Sequence, residues 1–480
     1  MSPTKKDVVT LPFDFTEIDA IVNARSLAIV GASAKPVKFG SLFTASQLTY
    51  GFSGPVYLVN PGESEIMGRK VYPDLRSLPE VPDLVCSTIP AHRSMDILRD
   101  CAGLGVKGVI IMAAGFREIG EGGEALEQEA LRLAREGGFR IVGPNCFGIY
   151  NPRNRLTLLP GHDFSSTPGN VAFISQSGGF SVHVGRQCKT LGIDFSAIIS
   201  YGNGADLDET DLVRYFTADP QTEIIAGYLE GASDGRLFMQ ALKEAAVHKT
   251  VVLWKVGKSE SSARAVISHT GSLAGSAAIW QGMLRQSGVI EVSGVDELCD
   301  VLLALKHLGR KPGRRLMLSG GGGGLGTYAA DLAEEAGLEV PSLADDSMAR
   351  LREILNTPGA AVGNPLDIGA PLIHLPVFEA AMCKAAVNPS TDILVFDVAL
   401  NFAYGLGGEE GLNAAMDMLI HMGQESGKPV VVVLYSRAIG SEDIFFEEVL
   451  RRLQTRLLEG GILVYPSMPR AIRALALVNA

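Results

Sequence analysis

Short runs of apolar and β-branched residues alternate with segments of helix-forming composition along the first 150 residues. The runs are apolar throughout, as is typical of strands that helices cover on both faces. A segment at 123–136, rich in Glu, Ala, Leu and Arg, is one of the predicted helices. The pattern predicts a parallel sheet in a doubly wound α/β domain. The predicted strands lie at 27–30, 56–59, 84–89, 108–112 and 140–142.

Two further series of apolar runs follow. A polar, proline-bearing stretch at 151–169 precedes the second series, and a break at 309–313 precedes the third. A length of 480 residues also favours about three domains, at roughly 150 residues each. We therefore predict three consecutive α/β domains at 1–155, 156–310 and 311–480. Their further strands are expected at 171–174, 196–200, 223–229, 251–255, 316–318, 393–398, 430–434 and 462–464.

Charge and cysteine content narrow the class of protein. The formal net charge is −11, and no run of Lys or Arg suits a nucleic-acid backbone, so no nucleic-acid partner is predicted. The six cysteines show neither CxxC nor paired spacing, which argues against a disulfide framework or a zinc site and favours a reducing compartment. No stretch approaches the roughly 20 apolar residues of a spanning helix. We expect a cytoplasmic protein with no metal site and no membrane partner.

The loop after the first predicted strand consists of small residues and leads into a helix. It includes Gly31, Ser33 and Gly40, and the free backbone N–H groups of such a helix start favour the phosphate of a nucleotide-type ligand. An NAD site is disfavoured because the loop lacks GxGxxG, and because Asn60 and Pro61, with no acidic residue, follow the second strand. The alternative is an ordinary α/β loop in which glycine allows close packing.

A second strand-to-helix loop contains Ser177, Gly178 and Gly179. Its backbone amides and the Ser177 hydroxyl suit a small oxyanion such as phosphate. Glu230 closes another predicted strand of the same series, so its carboxylate should emerge at the carboxyl edge of the sheet. A carboxylate there can bond one imidazole nitrogen and leave the other free to attack phosphorus. The alternative for Glu230 is a solvated loop acid.

His269 is the candidate for that imidazole. It lies in a run of small residues at 268–275, which predicts an exposed turn that presents a reactive group. A histidine in that setting can be phosphorylated, because neutral imidazole is nucleophilic near neutral pH. The alternative is a surface histidine without a chemical role.

Nine short motifs, none specific alone, occur in a consistent order along the chain. They are Gly31-Ala32-Ser33, Val59-Asn60-Pro61, Ile89-Pro90-Ala91, Ala114-Gly115-Phe116-Arg117-Glu118, Gly143-Pro144-Asn145-Cys146-Phe147-Gly148, Ser175-Gln176-Ser177-Gly178, Tyr201-Gly202-Asn203-Gly204-Ala205-Asp206, Tyr228-Leu229-Glu230-Gly231 and Ser268-His269-Thr270-Gly271. Together they resemble the alpha subunits of the nucleoside-diphosphate-forming acyl-CoA synthetases, relatives of succinyl-CoA synthetase. The resemblance covers nearly the whole chain. It implies a Rossmann-like CoA-binding domain followed by two flavodoxin-like ligase domains.

The resemblance also implies roles for individual residues of the first domain. The nucleotide portion of CoA is expected near Gly31, Ser33 and Gly40, and the CoA thiol near Asn145 and Cys146. Further CoA contacts are expected from Asn60, Pro61, Ile89, Pro90 and Ala91.

One position of the first domain departs from the family pattern. Glu63 stands where relatives often place a lysine against a CoA phosphate. The positive charge could come from Lys35, Lys38 or Arg69, and the sequence leaves that choice open.

In the second domain, the same resemblance implies that His269 becomes phosphorylated and that Glu230 supports it. Ser177, Gly178 and Gly179 match the helix start that holds the phosphoryl group. The implied reaction is reversible: acyl-CoA, phosphate and ADP give a carboxylic acid, CoA and ATP through an acyl phosphate and phosphorylated His269.

A partner chain is expected as well. ATP formation in this family needs an ATP-grasp domain, for which the third α/β domain leaves no room after residue 312. We expect a hetero-oligomer with a separate ATP-grasp beta subunit, which binds ATP or ADP with Mg²⁺, and a small carboxylic acid or acyl-CoA as substrate. Two alternatives remain: a non-catalytic CoA-binding regulatory protein and an NAD(P)-dependent oxidoreductase.

Overall fold

Three β-sheets of mostly parallel strands organise the chain. The computed structural model describes residues 15–271, 275–320, 322–355, 361–367, 375–436 and 440–480. The chain divides into two units: the first ends at Val295 and the second begins at Asp296, except that Thr190–Gly192 belongs to the second. No helix within the described ranges combines the length and apolarity needed to cross a bilayer.

The first sheet has the spatial strand order β3-β4-β2-β1-β5-β6-β7. All neighbours are parallel except β3 and β4. The strands are β1 (Leu27–Val30), β2 (Val56–Val59), β3 (Glu65–Ile66), β4 (Arg69–Tyr72), β5 (Leu84–Ser87), β6 (Gly108–Ile111) and β7 (Arg140–Val142). Its helices are α1 (Thr16–Val22), α2 (Phe39–Tyr50), α3 (Ala91–Leu104) and α4 (Glu121–Gly137).

Both faces of this sheet carry a hydrophobic core. Leu27 and Ile29 of β1 pack in one cluster of buried side chains, whereas Ala28 and Val30 pack in another. Since successive side chains of a strand point to opposite faces, the two clusters lie on opposite sides of the sheet. The predicted doubly wound arrangement is confirmed, and it explains why β1 has no polar residue.

The second sheet has the order β13-β12-β11-β9-β10-β8, in which only β8 is antiparallel to its neighbour. Its strands are β8 (Gly148–Tyr150), β9 (Val171–Ser175), β10 (Phe195–Ser200), β11 (Ile224–Leu229), β12 (Thr250–Lys255) and β13 (Ile290–Val292). The helices are α5 (Gly178–Thr190), α6 (Glu209–Ala218), α7 (Gly235–His248), α8 (Glu260–Thr270) and α9 (Ala277–Gln286). Helix α10 (Val295–Leu308) follows β13 and belongs, from Asp296 onward, to the second unit. From β9 onward the order is that of a flavodoxin-like sheet, with its switch point between β9 and β11.

The third sheet, within the described residues, is entirely parallel and has the order β15-β14-β16-β17-β18, again flavodoxin-like. Its strands are β14 (Leu316–Gly320), β15 (Leu366–Asp367), β16 (Ile393–Ala399), β17 (Val430–Tyr435) and β18 (Leu463–Tyr465). Its helices are α11 (Gly323–Glu335), α12 (Asp345–Ile354), α13 (Leu375–Ala386), α14 (Leu400–Ser426), α15 (Phe445–Glu459) and α16 (Met468–Asn479).

The apolar runs located most strands to within two residues. Strands β1, β2 and β7 have the predicted bounds, and the run expected at 84–89 ends early, at Ser87. The pattern missed β3, β4, β8, β13 and β15, which have two to four residues each. The domain boundaries stay predictions, and β8 shows how the chain passes between the first two: it pairs in the second sheet although it precedes residue 151.

Helix α2 crosses the loop after β1 at very close range. A Cβ atom placed on Gly40 would lie 1.9 Å from the carbonyl oxygen of Gly31. Gly31 itself has φ 88°, a left-handed conformation that favours glycine. The contact therefore requires glycine at both positions, and it fixes where the helix starts over the edge of the sheet.

We predict that Gly40→Ala destabilises the protein by about 3 kcal/mol or more, because a methyl group has no room against backbone. The matched control is Gly103→Ala in α3, where the new Cβ meets no atom within 4 Å; it should stabilise by about 0.5–1 kcal/mol. Urea unfolding followed by circular dichroism measures both. Equal stabilities of the two variants would show that the close contact does not exist in solution.

Candidate active site

Glu230 emerges at the carboxyl end of β11, beside the switch point of the second sheet. Its carboxylate is 2% exposed and receives three hydrogen bonds. Oε1 accepts from His269 Nδ1 at 2.8 Å and from the Tyr228 hydroxyl at 3.2 Å, and Oε2 accepts from the Thr270 hydroxyl at 2.7 Å. Each partner acts as a donor, which is the arrangement that an ionised carboxylate needs. Glu230 is therefore a buried carboxylate that accepts hydrogen bonds from three side chains, and not a solvated loop acid.

His269 lies in the last turn of α8, and not in a turn as the sequence suggested. Ser259 caps the start of this helix, and Gly271, with φ 66°, ends it. Residues 272–274 of the predicted turn lie outside the described residues. The His269 side chain is 51% exposed while its Nδ1 faces the buried Glu230 carboxylate. That hydrogen bond raises the pKa of His269 above its usual 6.5, against an opposing effect of partial burial.

The predicted phosphate loop lies next to Glu230, since β9 and β11 are neighbours. The Ser177 hydroxyl accepts a hydrogen bond from the backbone N–H of Phe180 at 3.4 Å and so caps α5. Gln176 joins the two strand ends, because its Oε1 accepts from the N–H of Glu230 at 2.5 Å. A Cβ on Gly178 would lie 2.5 Å from the Phe147 ring, so only glycine fits there. The next residue, Gly179, is exposed at the helix start.

A buried lysine forms a hydrogen bond with the backbone of Glu230. Lys255 ends β12, is 2% exposed, and its Nζ donates to the carbonyl oxygen of Glu230 at 2.8 Å. The same ammonium lies 4.8 Å from the centroid of the Trp280 ring. Burial lowers the pKa of Lys255 to about 8. The second tryptophan, Trp254, packs edge-on against Tyr228 with ring centroids 4.9 Å apart.

The residues predicted to hold CoA meet at the carboxyl edge of the first sheet. Loops after the neighbouring strands β2, β1 and β5 lie side by side there. Asn60 Nδ2 donates to the carbonyl of Ala32 at 2.7 Å, which ties two of these loops together. Gly31 packs against Ile89, since an added Cβ would lie 2.6 Å from its Cγ2 atom. Ser33 is buried and accepts from the N–H of Lys35.

The remaining predicted CoA contacts differ in accessibility. Pro61 and Pro90 are exposed, whereas Ala91 is buried. Cys146 is buried too, and its thiol points toward the carbonyl oxygens of Ile111 at 3.4 Å and Val142. Burial raises the pKa of the Cys146 thiol to about 12. The sulfur is directed into the core, and its predicted place near the CoA thiol stays a prediction.

A network of charged and amide side chains lies near His269, and the sequence predicted no role for it. Arg117 Nη1 contacts Glu127 at 3.4 Å, and its Nη2 donates to the carbonyl oxygen of Asn203. The Asn203 amide in turn donates to Glu118 at 2.7 Å and to Glu127 at 3.2 Å. Arg117, Glu118 and Asn203 belong to two of the nine motifs, so the sequence does mark these positions. The motifs do not indicate, however, which of the residues are in contact.

Two side chains of the first predicted domain, Arg117 and Asn145, reach the helix that carries His269. Arg117 Nε donates to the carbonyl oxygen of Thr270 at 3.2 Å. Asn145, whose φ is 58°, donates through Nδ2 to the carbonyl oxygen of His269 at 3.0 Å. The imidazole of His269 is thus bonded by Glu230 of the second sheet. The backbone at residues 269 and 270 is bonded by Asn145 and Arg117, which follow strands of the first sheet.

Comparison with known proteins matches this arrangement to a family. Residues 25–152 match the model of a CoA-binding domain, and residues 168–305 match that of a succinyl-CoA ligase-like flavodoxin domain. The chain is 35% identical to the ADP-forming acetate–CoA ligase I subunit alpha of Pyrococcus furiosus, over 96% of both chains. This chain belongs to the family of ADP-forming acyl-CoA synthetase alpha subunits. It is a ligase subunit, as the nine motifs predict.

A solved structure and a longer relative extend the picture of this synthetase family. A dinucleotide-forming acetyl-coenzyme A synthetase 1 of Ca. Korarchaeum cryptofilum, in complex with phosphate and ADP, superposes with a TM-score of 0.80 at 31% identity over 96% of both chains. The ADP-forming acetate–CoA ligase I of Archaeoglobus fulgidus is 39% identical over 71% of this chain, which covers 49% of that relative. The family decides between a ligase and an NAD(P)-dependent oxidoreductase in favour of the ligase.

We predict that Glu230→Gln changes the pH profile of the synthetase. If His269 is the group that attacks phosphorus, as the sequence predicts, it must be neutral to do so. The Glu230 hydrogen bond raises the pKa of His269, so activity should fall as pH drops through that raised value. Without the carboxylate charge, the acid limb should move to lower pH and the plateau rate should fall about 10²-fold. Glu291→Gln, which removes an ion pair with Lys258, is the control. An unshifted acid limb would contradict this role for Glu230.

We also predict that Cys146 resists modification in the native protein, since its thiol is buried and its pKa is raised to about 12. Ellman's reagent should react first with Cys383, which is partly exposed, and with the other five cysteines only after denaturation. Cys383→Ser should remove the early phase. Rapid modification of Cys146 that CoA prevents would instead place this thiol on the surface of the CoA site.

Proposed function

We propose that this chain and a separate ATP-grasp beta subunit reversibly convert acyl-CoA, phosphate and ADP to a carboxylic acid, CoA and ATP, with His269 as the phosphoryl carrier. The observation that carries the proposal is the 2.8 Å hydrogen bond between His269 Nδ1 and the buried Glu230 carboxylate. With the Nδ1 proton bonded to Glu230, the lone pair of a neutral imidazole resides on Nε2. Within the described residues, no group is bonded to Nε2, and the side chain is half exposed.

Three steps balance the reaction. Phosphate oxygen attacks the thioester carbonyl, and CoA leaves as the thiol, which gives an acyl phosphate. Nε2 of His269 then attacks phosphorus, so the bond between phosphorus and the acyl oxygen breaks and the carboxylate leaves. Finally, an oxygen of ADP displaces His269 from phosphorus, which gives ATP and neutral histidine. Glu230 stabilises the positive charge that the imidazole gains while it holds the phosphoryl group.

The helix start at Ser177, Gly178 and Gly179 is proposed to hold the phosphoryl oxygens. The first N–H groups of a helix lack intrahelical partners and carry the positive end of the helix dipole, so they favour an anion. Because Gln176 connects this loop to the backbone of Glu230, the anion site and the histidine support share one rigid edge.

CoA is proposed to bind across the loops that contain Gly31, Asn60 and Ile89. Gly31 forms a left-handed turn just before α2, and the absence of a side chain at Gly40 lets the start of that helix pack directly against the loop, which fits a phosphate-bearing nucleotide portion. Asn145 is proposed to face the thiol end, since it lies between this sheet and the His269 backbone.

ATP or ADP with Mg²⁺ is proposed to bind to the beta subunit. Support comes from relatives that are named as alpha subunits, and from the Archaeoglobus fulgidus ligase, of which this chain spans about half the length. We propose a small carboxylate as the acyl substrate, with acetate as the first to test, because the relatives at 35% and 39% identity are named acetate–CoA ligases.

The test is to incubate the purified chain, with and without the beta partner, with γ-labelled ATP and Mg²⁺. Acid-labile, alkali-stable label should appear on His269 only when the partner is present. His269→Ala should abolish both labelling and turnover and still bind CoA. His248→Ala is the matched control, because His248 is also exposed and also lies in the last turn of a helix, α7; it should leave labelling unchanged. Turnover that survives His269→Ala would overturn the proposal, and CoA binding without any label would favour a regulatory CoA-binding protein.

A further inference from the structure

The C-terminal end of α8 is held by side chains that come from another part of the fold. The last four carbonyl groups of an α-helix have no intrahelical partner. Two of these, on His269 and Thr270, accept from Asn145 Nδ2 at 3.0 Å and from Arg117 Nε at 3.2 Å. A cation at a helix C-terminus is also favoured by the helix dipole. Arg117 and Asn145 thus replace the missing helical partners of the residue that carries phosphate and of the residue after it.

Arg117 is itself fixed in three directions. Its Nε points to Thr270, its Nη1 to the buried carboxylate of Glu127, and its Nη2 to the backbone of Asn203. A planar guanidinium can serve three such acceptors at once, whereas the single nitrogen of lysine cannot. The Asn203 amide is anchored in turn by Glu118 and Glu127. The donor that meets the end of α8 is therefore rigidly placed.

Gly271 allows this approach. A Cβ on Gly271 would lie 3.0 Å from Cγ of Arg117, and its φ of 66° already disfavours other residues. The guanidinium stem passes directly over the point where the helix ends. Arg117 therefore bonds the backbone of the histidine segment at Thr270 and passes close to Gly271. Among the described residues, it makes no hydrogen bond to the imidazole ring.

We propose that Arg117, together with Asn145, positions the His269 segment for phosphoryl exchange with the acyl phosphate and is dispensable for phosphoryl exchange with ATP. This inference rests on the proposed phosphohistidine function. Both residues belong to the segment that matches the CoA-binding domain, at 25–152, so their bonds hold His269 at the domain where the acyl phosphate forms. The nucleotide step occurs on the partner subunit and needs neither bond.

The experiment separates the two half-reactions of the assembled enzyme. Labelling of His269 by γ-labelled ATP measures the nucleotide step, and discharge of the labelled enzyme by acetate plus CoA measures the acyl step. Arg117→Lys keeps the positive charge but cannot bond three acceptors at once. Discharge should therefore slow about tenfold or more, while labelling should stay within about twofold of the wild-type rate. The KM for CoA should hold while kcat falls, and the acid limb set by Glu230 should not move. Arg132→Lys, on the exposed side of α4, is the control for both steps.

Asn145→Ala provides a second test through the carbonyl of His269. Because Asn145 is also proposed to lie near the CoA thiol, its discharge is measured at saturating CoA, where the same asymmetry should appear. A thermal melt shows whether Arg117→Lys is folded. If it is not, the Asn145→Ala variant alone tests the proposal. Equal slowing of both half-reactions would assign Arg117 a general structural role and overturn the proposal, as would unchanged rates in both. Absence of label on the wild-type enzyme would reject the phosphohistidine function itself, an outcome distinct from either.

Discussion

The site depends on one buried carboxylate. An ionised carboxylate removed from water costs several kcal/mol unless donors surround it, and Glu230 at 2% exposure meets that condition only because three side chains converge on it. The donors come from its own strand β11 and from the end of α8. The relative position of strand and helix is therefore set by the need to keep this charge bonded, and His269 is oriented as part of the same solution.

The second constraint acts on the backbone at the C-terminal end of α8. Glu230 determines which imidazole nitrogen is bonded, whereas Arg117 and Asn145 determine where the helix end lies. The two sets of contacts arise from different sheets and use different atoms of the same two residues, His269 and Thr270. The helix start after β9, which is the proposed anion site, adds a third element, and Gln176 links it to the strand that bears Glu230. Separate residues thus orient the imidazole and position the helix end, and a third set is proposed to stabilise charge.

Much of this could be predicted from the sequence, for physical reasons. Uninterrupted apolar runs gave β1 and β2 their observed bounds, and a carboxylate directly after such a run had to emerge at the sheet edge, which located Glu230. Two-residue strands such as β3 carry too little periodicity to be detected. His269 was expected in a turn, because the small residues around it do not reveal that Gly271 closes a helix. Two of the three partners of Arg117, Asn203 and Thr270, lie 86 and 153 residues away, a separation that no local pattern encodes.

Lys255, the buried lysine that bonds the backbone of Glu230, has a consequence for the tryptophan fluorescence of the protein. The chain has only two tryptophans. Trp280 lies under the Lys255 ammonium, and Trp254 adjoins Lys255 in sequence and packs on Tyr228, whose hydroxyl bonds Glu230. Indole emission from this chain therefore originates entirely around the second sheet. An ammonium over an indole face polarises the ring, so the wild-type molecule contains an intrinsic spectroscopic reporter beside its buried carboxylate, without any label introduced.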